Sequence, residues 1–294
     1  MSIVASRLWL YARLLRLDKP IGILLLLWPT IWALLFAAEG SPSLSLLLIF
    51  TVGVVLMRSA GCAMNDFADR HIDGSVERTV ARPLATGELQ PLEAVALFIG
   101  LSLAAFALVW QLNQLTIWLS LPAVLLAGLY PFTKRFTYMP QAVLGVAFAM
   151  AVPMAFAATL NSVPLAAWWL FAAVVAWAIA YDTMYAMADR PDDLKIGVKS
   201  SAILFGRYDR LLVGLFQVLV WGLLTLSGAL FGATPLYFMA LMLLSLSLFG
   251  YQQWLIRQRE RAACLRAFLN NHYYGLGVTL VIVADYSLGH RWLI

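Results

Sequence analysis

Nine long apolar stretches, at 21–38, 44–64, 92–111, 115–130, 141–160, 164–182, 211–231, 236–255 and 268–288, take up most of this chain. A helix needs about 20 predominantly apolar residues to cross the hydrocarbon core of a bilayer. In lipid, every backbone N–H and C=O must be satisfied inside the helix or within a closed barrel. None of the stretches alternates apolar and polar residues as barrel strands do. The expected fold is therefore all-α, nine transmembrane helices in one bundle forming a single domain over 1–294. Composition agrees: 63% of residues are hydrophobic and 12% charged, whereas a soluble domain carries about 25% charge. A water-soluble globule and a disordered chain are both excluded.

The connections between stretches alternate in character. Those at 39–43, 112–114, 161–163 and 232–234 are short and nearly uncharged, and the others are long and basic. All but two of the 20 Lys and Arg residues, Arg58 and Arg291, fall at the N-terminus or in the long connections. The positive-inside rule then expects the N-terminus and every long loop in the cytoplasm. It also accounts for the net charge of +5 without a nucleic-acid partner. The N-terminal apolar run is long and lacks a small-residue cleavage site, so it reads as a first span rather than a signal peptide. Cys62 and Cys264 have neither metal-ligand nor disulfide spacing and read as packing residues.

Two acidic runs follow apolar stretches on the basic side. Asn65, Asp69 and Asp73 recur every four residues, with Asp66 seven before Asp73, so a continuing helix would carry them on one face. Asp182, Asp189 and Asp193 do the same after the sixth stretch, and the repetition suggests two pseudo-repeated halves with acidic motifs at 65–73 and 182–193. Carboxylates gathered at helix C-termini repel one another and oppose the helix dipole. Cations relieve both effects. Mg²⁺ is the natural one, since it binds carboxylates together with substrate phosphates and water. Pro191 lies inside the second run and is expected to interrupt the helix there, which favours Asp182 and Asp189 over Asp192 and Asp193.

Basic residues near these runs suit phosphate contact. Arg58 lies in an apolar stretch two turns before Asn65, where an ionised group is expensive and usually functional. Tyr130, Lys134 and Arg135 close the fourth stretch, and Lys195 and Lys199 follow the second acidic run. Asp285 reads as an interfacial carboxylate, and Asn270, Asn271 and His272 as packing or capping groups.

The runs Asn65-Asp66-x-x-Asp69-x-x-x-Asp73 and Tyr181-Asp182 to Asp193 resemble the two aspartate motifs of the UbiA superfamily of intramembrane prenyltransferases. The resemblance continues through Arg78-Thr79, Arg82-Pro83-Leu84, Gly87, Tyr130-Pro131 to Lys134-Arg135, and Phe268 to Gly275. Arg16 to Gly22 and Lys195 to Ser200 look like the branch acting on 4-hydroxybenzoate. This likeness implies a nine-helix bundle whose chamber opens to lipid beneath cytoplasmic loops, in a bacterial inner membrane. It implies Mg²⁺-dependent transfer of a polyprenyl group from its diphosphate to the carbon ortho to the 4-hydroxybenzoate hydroxyl, in ubiquinone synthesis. Asn65, Asp66, Asp69, Asp73, Asp182, Asp189 and Asp193 would then hold Mg²⁺ and diphosphate, with Tyr130, Lys134 and Arg58 near the same headgroup. Arg58 or Arg16 would pair with the benzoate carboxylate.

A transporter is the rival from another class, but ion relays place carboxylates deep in a bundle, whereas these gather at one edge. An enzyme joining nucleotide-activated headgroups to lipid alcohols fails on spacing, because Glu77 breaks its motif after Asp73-Gly74. Sibling prenyltransferases with other aromatic acceptors remain the alternative.

Overall fold

In the computed structural model, residues 3–75, 77 and 79–289 are described; Arg78 and Arg291, weighed above, lie outside them. The only regular elements among the described residues are helices, with no strand. In chain order the helices are α1 (Ile3–Leu14), α2 (Ile21–Ala37), α3 (Leu44–Asp69), α4 (Pro91–Val109), α5 (Gln114–Thr133), α6 (Pro140–Ala149), α7 (Ala151–Leu160), α8 (Leu165–Ile196), α9 (Ser201–Phe205), α10 (Asp209–Leu230), α11 (Pro235–Leu255) and α12 (Arg261–Ala284). Every expected apolar stretch contains helix. Seven segments, with α6 and α7 taken together, are long and apolar enough to span a bilayer. The count of nine spans is thus not reached: α2, at 17 residues, is only about 26 Å long. The first half of α12 carries Arg261, Arg266, Asn270, Asn271 and His272, which dilute its hydropathy.

Helix ends follow local chemistry. Ser43 Oγ accepts from Leu46 N at 3.3 Å to start α3, and Asn113 Oδ1 accepts from Thr116 N at 3.0 Å to start α5, as N-cap side chains do. Gln90 N donates to Glu93 Oε2 at 2.7 Å in a capping box on α4. The fifth stretch is broken at Met150 into α6 and α7. Pro153 explains the break, having no N–H for the Ala149 carbonyl and a ring that crowds it.

Pro191 has no such effect, contrary to expectation: α8 runs unbroken for 32 residues through it. One missing donor is tolerated when the rest of the ladder is intact. The helix stops instead at Gly197, whose φ of +72° is one that glycine adopts without strain. At this length α8 is about 48 Å long, and it therefore overshoots the roughly 30 Å hydrocarbon core. The acidic row of 65–73 is not wholly helical either. α3 ends at Asp69, and Asp73 opens a single 3₁₀ turn.

The core lies along α8, which packs on α6, α10 and α12, while α2 packs on α7 and α12. Trp32 and Trp177 meet with ring centroids 5.2 Å apart. Their indole N–H groups donate to Thr279 Oγ1 and Asn271 Oδ1, each at 3.0 Å, so neither donor is left unpaired in the apolar interior. Asn271 is a packing residue, as expected. Gly275 lies where any Cβ would collide with Trp28 and Trp177. Leu103, Trp118, Leu125, Leu243 and Leu246 are exposed on outward faces, where lipid is their solvent.

Two buried aspartates brace opposite ends of the bundle. Asp285 is not the interfacial carboxylate expected from its position. It is buried and accepts from Thr234 N at 3.2 Å and from Thr234 Oγ1, capping α11. Asp209, fully buried at the start of α10, accepts from Arg190 Nη1 at 3.1 Å and Arg259 Nη2 at 2.7 Å. It thereby ties the end of α8 to the turn between α11 and α12.

Candidate active site

The C-terminal ends of α3 and α8 deliver the two acidic runs to one chamber of about 660 Å³. Asn65, Asp66, Asp69 and Asp73 line it from one side of the sequence, and Asp182, Asp189 and Asp193 from the other. Arg16, Arg58, Tyr130, Lys134 and Lys199 line it too. Asp73 reaches the chamber from its 3₁₀ turn, so the expected convergence holds although the expected continuous helix does not.

Basic side chains offset the carboxylates. Arg16 Nη2 donates to both oxygens of Asp66, at 3.0 and 3.2 Å. Arg82 Nη1 lies 3.0 Å from Asp66 and 2.7 Å from Asp73. Burial alone would lower the Arg82 pKa, but Asp66 and Asp73 outweigh it and raise it above its ordinary value. Lys134 Nζ, just past the end of α5, donates to Asp69 Oδ2. Arg16 pairs with Asp66 from a left-handed backbone, φ +57°, a conformation that disfavours any residue with a Cβ.

A second, apolar cavity of about 130 Å³ adjoins the chamber, lined by residues such as Phe50, Val54, Met57, Ala127, Phe148 and Met154. Arg58, Tyr130 and Leu144 line both cavities and so mark the passage between them. The Arg58 guanidinium lies over Gly22, where a Cβ would overlap it, and 6.0 Å from the Phe148 ring centroid. Its Nη1 contacts Cys62 Sγ, and its Nε is buried without a hydrogen-bond partner. Cys62 is thus a chamber residue as well as a packing one, whereas Cys264 is core.

The donor set suits a hard cation. Among the described residues no three His, Cys, Asp or Glu side chains converge into a complete metal cage. Mg²⁺ does not require one, since it usually takes one or two carboxylates and completes its shell with water and substrate phosphate. Asp69 Oδ1 is buried in the chamber wall with no hydrogen-bond partner, a vacant lone-pair donor of the kind such an ion uses.

A profile of the UbiA prenyltransferase family matches residues 26–275. The chain belongs to this family. It is 57% identical over 276 residues to the 4-hydroxybenzoate octaprenyltransferase of Tolumonas auensis, covering 94% of this chain and 96% of that one. It is 53% identical to the protein of the same name from Salmonella paratyphi C, covering 97% and 98%. Among solved structures, the apo UbiA homologue of Aeropyrum pernix K1 superposes with TM-score 0.77 at 25% identity, over 91% of this chain and 98% of that one. A UbiA homologue of Archaeoglobus fulgidus, solved with GPP and Mg²⁺, shares the fold at TM-score 0.72 and 19% identity, over 94% and 99%. The transporter alternative falls with these matches, and the chain is an integral membrane prenyltransferase.

Within this UbiA family member two expected site residues, Arg135 and Lys195, lie away from the chamber lining. Arg135 donates through Nη2 to the Ala68 carbonyl at 2.7 Å. Lys195 is exposed and pairs with Asp192 at 3.6 Å, while Asp192 also accepts from Arg261 at 2.7 Å. Asp193 lines the chamber and Asp192 does not, and Pro191 is not the cause, since α8 continues through it and Asp192 is held by Arg261 and Lys195 instead. Arg82, left out of the expected site set, is the bridge between Asp66 and Asp73. Its Arg82-Pro83-Leu84 motif was the available signal. Gln141 and Ser200 also line the chamber; Ser200 closes the Lys195-to-Ser200 run that carried the resemblance, whereas nothing in the local sequence distinguishes Gln141.

Proposed function

We propose that this protein transfers a polyprenyl group, octaprenyl by analogy with its named relatives, from polyprenyl diphosphate to the ring carbon ortho to the hydroxyl of 4-hydroxybenzoate, in ubiquinone synthesis. The C–O bond to diphosphate breaks, a C–C bond to the ring forms, and a ring proton leaves. One observation carries the reading: a charged chamber sized for polar headgroups opens past Arg58, Tyr130 and Leu144 into an apolar cavity suited to an isoprenoid tail. The names of the most similar relatives supply the acceptor.

Asn65, Asp66, Asp69, Asp73, Asp182, Asp189 and Asp193 are the proposed holders of Mg²⁺ and its diphosphate. The bound ion would supply Lewis-acid stabilisation of charge on the departing diphosphate. Lys134, Lys199 and Arg82 add fixed positive charge around the same group, which lowers the barrier most when it is aimed at the developing anion. Arg58 is the better partner for the benzoate carboxylate, because Arg16 is already committed to Asp66. The apolar wall around Phe148 and Met154 keeps water from the allylic cation until the ring attacks. Asp182 is a candidate to receive the ring proton. The basic loops are assigned to the cytoplasmic side of a bacterial inner membrane, with two pseudo-repeated halves contributing one acidic run each.

The test is incubation of purified protein in lipid with Mg²⁺, octaprenyl diphosphate and labelled 4-hydroxybenzoate, with EDTA and Asp69→Ala controls. Prenylated product that disappears in both controls is expected. Diphosphate release with product formed only from another aromatic acceptor would transfer the assignment to a sibling activity.

A further inference from the structure

Two side-chain oxygens in the chamber wall are buried without a hydrogen-bond partner. Gln141 and Ser200 are each 4% exposed, and Gln141 Oε1 and Ser200 Oγ are buried without partners. Buried polar atoms are almost always paired, so an unpaired one in a native wall calls for a ligand or another cause. Ser200 sits at the N-cap of α9, where serine ordinarily accepts from a backbone N–H, yet its side chain makes no capping bond. Gln141 follows Pro140 in the first turn of α6. The two belong to adjoining segments, since Lys199 Nζ donates to the Phe136 carbonyl at 3.4 Å and lies 5.3 Å from the Tyr138 ring.

We infer that Gln141 and Ser200 read the phenol hydroxyl of the aromatic acceptor and so set its orientation in the chamber. This rests on the acceptor assignment proposed above. The argument is one of donors and acceptors. A diphosphate and a carboxylate present only acceptor oxygens to the wall, and with the amide turned as it is here, Oε1 toward the unpartnered side, Gln141 cannot bond either through that atom. Among the polar groups of the two proposed substrates, the phenol O–H alone is a donor. Ser200 Oγ, able to donate as well as accept, then completes the pair by donating to the phenol oxygen.

Helix geometry supports the same placement. Gln141, Leu144 and Phe148 recur at i, i+3 and i+7, one face of α6. Leu144 lines the passage between the cavities, and Phe148 faces the Arg58 guanidinium. The face therefore runs from a neutral acceptor at Gln141 to a cation two turns away. A para-substituted ring carries its hydroxyl and its carboxylate at opposite ends, matching that polarity in one direction only. Fixing the hydroxyl end also fixes which carbons lie beside it, so Gln141 and Ser200 are specificity-determining and positioning residues.

The experiment is competition binding in lipid nanodiscs, displacing labelled 4-hydroxybenzoate with unlabelled 4-hydroxybenzoate or with benzoate, which lacks the hydroxyl. Wild type is expected to prefer 4-hydroxybenzoate. Gln141→Leu should erase about tenfold of that preference, the worth of a buried hydrogen bond, while benzoate affinity and the KM for polyprenyl diphosphate stay within about twofold of wild type. Ser200→Ala should act in the same direction, and Gln141→Met, closer in shape, covers the case in which the leucine variant folds poorly. Normal product formation with unchanged discrimination in these variants, or equal weakening of both acids, overturns the inference alone. A wild-type protein that forms no prenylated 4-hydroxybenzoate overturns the acceptor assignment and this inference with it.

Discussion

Lys134 Nζ donates to one oxygen of Asp69, and the other oxygen of the same carboxylate is buried with no partner. The carboxylate is half used by the protein and half left for the chamber. Asp69→Asn keeps the shape but removes the charge a cation would need. Turnover should fall by on the order of 10²–10³, the usual loss when one group aimed at transition-state charge is removed. Product formation and thermal unfolding, measured on the same preparation, check this. An equal fall in stability and activity would assign Asp69 a packing role instead.

Gly22→Ala tests the placement of Arg58. A methyl group at Gly22 would occupy the space of the Arg58 guanidinium. That group is the far end of a flexible side chain, so it moves and the helices stay. The KM for 4-hydroxybenzoate should rise roughly tenfold or more, as expected for a lost charge-assisted hydrogen bond, with the melting temperature nearly unchanged. An unaltered KM would count against Arg58 as the carboxylate partner.

Asp209→Ala should cost stability. Its carboxylate accepts from Arg190 and Arg259, and the hydrogen bond to Asp209 raises the Arg259 pKa above its ordinary value. Breaking a fully buried pair costs about 3–5 kcal/mol. Both arginines reach solvent here and can rehydrate, so about 2 kcal/mol is the expected loss. Chemical denaturation in detergent measures it, and no change in midpoint would remove the clamp from the account of how α8 is held.

Most of the architecture was legible because the apolar runs leave a chain few choices in lipid, and seven of the spans follow from length and hydropathy alone. The acidic runs were legible as rows because helical spacing is a local property. What escaped depends on tertiary packing. Pro191 carries a real local penalty, yet the surrounding helix absorbs it and α8 continues to Gly197. Asp285 stands near the end of an apolar stretch, and only its meeting with Thr234 makes it a buried cap. Arg82 is ordinary in a loop until folding sets it between Asp66 and Asp73. Gln141 carries no local pattern at all, and Ser200 only closes the Lys195-to-Ser200 run; what sets both apart is an oxygen without a partner in a wall built from separate segments.

The same wall chemistry predicts how metal enters. No complete cage of three metal-binding side chains forms among the described residues, so the protein alone should hold a divalent ion weakly. A diphosphate brings further hard oxygens to Asp69 and its neighbours and completes the octahedron that Mg²⁺ demands. Titration of Mn²⁺, a spectroscopic stand-in for Mg²⁺, should therefore show weak binding to the protein alone and at least tenfold tighter binding with an unreactive polyprenyl diphosphate analogue. By reciprocity the analogue should bind tighter by the same factor when the metal is present. Asp69→Asn should abolish the gain in both directions. Tight metal binding without the analogue would show that the acidic runs close into a cage by themselves, and that the diphosphate arrives at a preformed site.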